Sequence, residues 1–221
     1  MMRSVIACGA LALMFFVFTG PKPAAAQVVY NDGPINGTVD AWTINFGFVT
    51  ADTFTLSGGS STLTGLSFGA WLSPGDVLET VEVSMTPEAF GGTTYFDEVV
   101  SFTQSGCSGN QYGFNVCTES GTFSGPTLAN GTYWLNLQNA VVNTGDPVYW
   151  DENSGVGCTS PGCPSQAEDN NCIVKNGQGC IPPESFTLYG EPVGSVPEPS
   201  SVLLFGSGLL GVVAAVRRKQ L

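Results

Sequence analysis

The chain has 221 residues, with 18 acids, six bases and no histidine, for a formal charge of −12 at pH 7. Seventeen of the acids and one base, Lys175, fall between residues 27 and 195, a formal −16 for that window. With no basic surface to neutralise phosphate, nucleic-acid binding is excluded, and so is docking of this window on anionic lipid.

At the N-terminus, Arg3 precedes an apolar run over residues 5–18, and Ala24-Ala25-Ala26 stands before Gln27. A positive start, a short apolar stretch and small residues at −3 and −1 make a secretory signal peptide over 1–26, with Ala24 and Ala26 setting the cut before Gln27. Fourteen apolar residues are too few for a membrane span, which needs roughly 17–25.

Residues 27–195 then read as one all-β domain. Trp42, Ile44, Phe46 and Phe48 alternate with Thr43, Asn45 and Gly47, and Phe54 and Leu56 with Thr53 and Thr55. Val81, Val83 and Met85, then Tyr133, Leu135 and Leu137, then Phe186 and Leu188 continue the same period of two. Turn sequences such as Asn31-Asp32-Gly33, Gly58-Gly59 and Pro74-Gly75 separate these runs. Alternation with one apolar face predicts half-buried antiparallel strands, and so many short ones predict a single antiparallel β-sandwich of jelly-roll type.

Six cysteines lie in this window: Cys107, Cys117, Cys158, Cys163, Cys172 and Cys180. An even number in an exported chain predicts disulfides. Cys107 and Cys117 flank a Gly/Asn-rich tip and are expected to pair. The other four lie in a Gly/Pro-rich insertion over 155–183; neighbouring pairs are one arrangement, and crossed pairs are open.

Past residue 195 comes Val196-Pro197-Glu198-Pro199, an apolar run from about 200 to 216, and Arg217-Arg218-Lys219. The prolines hold the backbone extended, the apolar run reaches the short end of a spanning helix, and the basic triplet stops transfer on the cytoplasmic side. Together they resemble the PEP-CTERM sorting signal of exported bacterial proteins, a segment that also goes by the name of an ice-binding-protein C-terminal domain. The resemblance implies that 196–221 is a signal read by exosortase, a membrane-embedded cysteine protease or transpeptidase that cuts near the motif. It also implies an inner-membrane-anchored precursor, then residence in the envelope or in a matrix of extracellular polysaccharide in biofilm-forming bacteria. Gly131-Thr132-Tyr133-Trp134-Leu135, Val148-Tyr149-Trp150 and Phe186-Thr187-Leu188-Tyr189-Gly190 are similar to stretches of other all-β domains that carry this signal.

Within the domain, the absence of His and Arg removes Ser-His-Asp and Cys-His catalysis and Arg-based phosphate clamps. Carboxylates remain, so the enzymatic alternative is a small two-acid glycoside-active enzyme. The doublets Asp97-Glu98 and Asp151-Glu152 do not suit it, because neighbours on a strand face opposite ways. Glu98 shares its strand face with Phe96, Val100 and Phe102, and is expected to reach water through a bulge. Thr53/Thr55 and Thr62/Thr64 are the basis of a minor ice-binding alternative. Asp32, Asp40, Asp146, Asp151 and Glu152 sit in or beside turns, where a structural calcium ion could be held. Alternation leaves Trp134 outside with Asn136 and Gln138, a candidate glycan platform that Trp150 would widen from a neighbouring strand. The function expected is that of a non-catalytic, exopolysaccharide-associated binding or structural module.

Overall fold

The structure is a computed structural model; it describes residues 26–153 and 183–193, and the backbone of 165–169 and 172–174. The strands are β1 (Gln27–Asn31), β2 (Ala41–Thr43), β3 (Phe48–Leu56), β4 (Ser61–Leu72), β5 (Leu78–Thr86), β6 (Phe96–Gly109) and β7 (Asn115–Thr122). They continue with β8 (Thr127–Leu128), β9 (Gly131–Val142), β10 (Tyr149–Asp151), β11 (Ser165–Asp169), β12 (Cys172–Val174) and β13 (Phe186–Pro192). Among the described residues there is no helix, and so none long and apolar enough to cross a membrane. The signal peptide, the helix at 200–216 and the basic triplet lie outside the described residues.

Every strand pair is antiparallel, in the order β1-β13-β4-β7-β6-β5-β9-β3-β11-β12, with β8 and β10 on β4 and β2 on β10. The sheet curls on itself through β6. Residues 96–101 of that strand pair with β5 and 102–109 pair with β7, so one long strand serves both halves. The result is sandwich-like: Leu66, Phe68, Phe186 and Leu188 from one half meet Phe54, Val81, Val83, Met85, Leu135 and Leu137 from the other in a single core. All ten are buried, as alternation requires when one face of each strand packs inward. Tyr30 helps close the open side, its ring 5.4 Å from Phe186 and 6.1 Å from Phe54.

The turn chemistry is local. Gly58 and Gly59, between β3 and β4, have φ of +90° and +117°, a conformation that a side chain disfavours. Asn31 accepts the Gly33 amide at 2.9 Å and turns the chain out of β1. Cys107 and Cys117 are disulfide-bonded across the β6–β7 hairpin, as expected.

Two expectations need correction. The alternating run 42–48 is not one strand: β2 stops at Thr43, Phe46 takes φ +57° and is 61% exposed, and β3 begins at Phe48. Ile44 is buried, with its amide donating to Val148 O, so the chain turns around that anchor. Glu98 is exposed as expected, yet its pairing with Val83 is in regular register with no bulge. Here β6 passes from one half of the sheet to the other, and water reaches a face that is buried further along.

Candidate functional site

The outer face of β5, β9 and β3 is built from rows set by strand register. Asp97, Ser84, Asn136 and Ala51 form one row; Val99, Glu82, Gln138 and Val49 form the next; Thr86, Trp134 and Thr53 form a third. Over this face lies a pocket of about 460 Å³, lined chiefly by polar atoms. Ser84, Thr86, Asn136 and Gln138 line it from β5 and β9, Gly47 from the turn before β3, Val49 from β3, and Asp97 from β6. Phe90, Gly91, Gly92 and Thr94, from the loop between β5 and β6, complete it.

That loop is held in place by the strands. Asn136, 2% exposed, accepts the Phe90 amide on Oδ1 at 3.0 Å and donates through Nδ2 to Thr86 Oγ1 at 2.9 Å. Thr86 Oγ1 in turn donates to Glu88 O at 2.7 Å. Phe90 sits at φ +61°, a conformation that costs a bulky residue on the order of 1–3 kcal/mol and persists only where surroundings impose it. On the far side, Glu82 takes hydrogen bonds from Gln138 Nε2 (2.6 Å) and Asn139 Nδ2 (2.7 Å), so the amide of Gln138 is fixed.

Three of the four residues expected to form the glycan platform share this face, and two of them line the pocket. Asn136 and Gln138 line it; Trp134 lies in the next row, half-buried between Thr53 and Thr86. Trp150 does not belong to it. Its strand pairs with β2 and β4, not β9, and its indole is fully buried, donating to Ser185 O and packed on Phe68 and Phe186. The aromatic that lines the pocket is instead Phe90. Nothing in the alternation pattern marks Phe90; the only signal is an aromatic followed by Gly91-Gly92 in a loop.

The acids named for calcium divide. Asp32, Asp151 and Glu152 are buried together, Asp40 is close enough to Glu152 for its charge to be felt, and Asp146 lies elsewhere, its carbonyl accepting from Asn45. Asp52 and Glu184 join the buried group and were not foreseen. Asp151, Glu152 and Asp52 turn oxygens to protein donors, whereas neither carboxyl oxygen of Glu184 has a hydrogen-bond partner among the described residues. Asp151 accepts the amides of Asn36 and Gly37, Trp71 Nε1 and Ser185 Oγ, while Glu152 accepts Trp42 Nε1 and Asp52 accepts the Glu184 amide. Among the described residues no group of three or more acids or cysteines is placed to hold a metal ion.

Burial dominates the titration of these groups. It raises Glu152 to about 7 and Glu184 well above the carboxylate range, with the charges of neighbouring acids adding to the effect. Asp151 is also raised by burial, against the pull of its four hydrogen bonds. Gly69 permits this packing: a Cβ there would stand 2.6 Å from Ser185 Oγ and 2.8 Å from Asp151 Cβ. The network ties β1–β2, β4 and β10 to the chain at 183–185, and Asn153 N donates to Pro183 O at the base of the insertion. Its carboxylates, on Asp32, Asp52, Asp151, Glu152 and Glu184, are buried.

The paired threonines do not make an ice face. Thr53 is buried, and the two pairs lie on β3 and β4, which are not neighbours in the sheet. Side chains of Cys158, Cys163, Cys172 and Cys180 lie outside the described residues.

Fold and site together define an all-β, sandwich-like domain with a polar pocket on one outer face. Residues 195–219 match the family model of the PEP-CTERM protein-sorting motif. The chain therefore carries an export signal of the kind that exosortase reads. No curated protein matches the chain significantly.

Proposed function

We propose that this exported protein is a non-catalytic, polysaccharide-binding module of the cell envelope or extracellular matrix. On this reading, the precursor is held in the inner membrane through residues of about 200–216, and exosortase cuts near Val196-Pro197-Glu198-Pro199. The observation that carries the binding reading is the pocket on β3, β5 and β9. Hydroxyl and amide groups converge there beside Phe90, an arrangement suited to a sugar, which offers hydroxyls at its edge and C–H bonds on its face. Binding is favoured over hydrolysis because Asp97 is the single carboxylate among the described lining residues, whereas glycoside hydrolysis uses two.

The test is calorimetry or a pull-down with the host's exopolysaccharide and with short soluble oligosaccharides. Phe90→Ala and Gln138→Ala should weaken binding about tenfold, a loss of roughly 1.4 kcal/mol each. Trp134→Ala, outside the lining, should weaken it less. Equal loss from Trp134→Ala and Phe90→Ala would move the site off the pocket, and release of shortened sugars would refute the non-catalytic reading.

A further inference from the structure

The hydrogen-bonding capacity left facing the pocket is lopsided. Both sides of the Asn136 amide are spent within the protein, on the Phe90 amide and the Thr86 hydroxyl. Thr86 spends its proton on Glu88 O. Gln138 spends one Nε2 hydrogen on Glu82, which leaves its carbonyl oxygen and its second N–H to offer a ligand. Asp97, exposed on the lining, offers only acceptors, and the hydroxyls of Ser84 and Thr94 can take either role. The lining side chains thus present more acceptors than obligate donors, the second N–H of Gln138 being the donor left.

Charge points the same way. Asp97 stands in the lining, Glu82 lies beside Gln138, and exposed Glu88 sits on the loop that walls the pocket. No Lys, Arg or His is among the described lining residues. A uronate or other acidic sugar would bring acceptors to acceptors and negative charge to negative charge, which costs desolvation without return. A neutral sugar satisfies the acceptors through its hydroxyls. A hexosamine with a free ammonium group does so with three donors and the complementary charge, and a charge-assisted bond to Asp97 is about twice as strong as a neutral one.

We infer that the pocket selects an amine-bearing polysaccharide, a chain containing de-N-acetylated hexosamine units, with the ammonium group held by Asp97. This rests on the carbohydrate reading given above and adds the class of sugar.

Calorimetry on the mature protein would compare three probes of equal length: glucosamine oligomers, their N-acetylated counterparts, and oligouronates. Measurements belong at a pH that keeps the amines charged and at about 0.15 M salt, where the Debye length is about 8 Å and long-range attraction by the acidic domain is screened. The glucosamine oligomer should bind about tenfold or more tightly than the N-acetylated one, with no binding of the uronate. Asp97→Asn, an exposed and near-isosteric change, should bring the ratio of the two affinities to about one. Equal binding of amine and N-acetyl forms would overturn the inference and leave the carbohydrate reading standing. So would a preference that survives in Asp97→Asn, since it would then belong to the domain's overall charge. Tighter binding of the uronate would overturn it as well, and failure of all three oligomers to bind would overturn both readings.

Discussion

Glu119 is a carboxyl group placed where a core residue would be expected. It lies on β7 opposite Phe68 and Gln104, is fully buried, and neither carboxyl oxygen has a hydrogen-bond partner. Burial raises its pKa from 4.5 to about 7. An acid whose folded pKa lies above its unfolded one costs stability as pH rises, because the unfolded chain gives up its proton first. The loss begins near 4.5, grows until about 7, and is then complete. At about 1.36 kcal/mol per pKa unit, it amounts to about 3 kcal/mol, or about 6–10 °C in Tm for a domain of this size. Glu119→Gln keeps the shape and removes the titration. Denaturant unfolding of both proteins from pH 5 to pH 9 gives the difference in stability, in which the shared titration of Glu152 and Glu184 cancels. The variant should exceed wild type by about 1 kcal/mol near pH 5 and by about 3 kcal/mol above pH 8. A difference that does not change with pH would show that Glu119 is not buried as a protonated acid, and would refute the reasoning.

Two further outcomes are expected. In a host with exosortase, mass spectrometry of the mature surface protein should find no peptide from residues 202–216, and an intact tail there would refute cleavage at the motif matched by 195–219. Reduction of Cys107–Cys117, ten residues apart in sequence, should cost about 2–3 kcal/mol through the entropy of the unfolded loop, and so lower Tm by several degrees; an unchanged melting curve after verified reduction would contradict it.

Much of the fold was legible because its causes are local. A strand's faces follow from a period of two, so Val81, Val83, Met85, Leu135 and Leu137 could be assigned to the core with no knowledge of their partners. Cys107 and Cys117 could be paired because the hairpin tip between them is short. The sorting motif is legible for the same reason: its order of Pro-Glu-Pro, apolar run and basic end is a linear pattern. Alternation misled at 42–48, where the run fits a strand but Phe46 takes a left-handed conformation and the chain turns about buried Ile44.

What the tertiary structure decided was adjacency. Trp134 and Trp150 look equivalent as aromatic residues on alternating strands, yet β9 leaves the first at the surface while β10, laid between β2 and β4, places the second in the core. The pocket exists because register brings Ser84 beside Asn136 and Asp97 beside Ser84, and because Asn136 pins a loop that carries Phe90 over them. Asp32, Asp52, Asp151, Glu152 and Glu184 are scattered along the chain and are gathered by the closing of the sheet around one end. Local propensity acts over a few residues and fixes which face a side chain takes. Which faces meet depends on the order of strands, a choice made by the burial of the whole core at once.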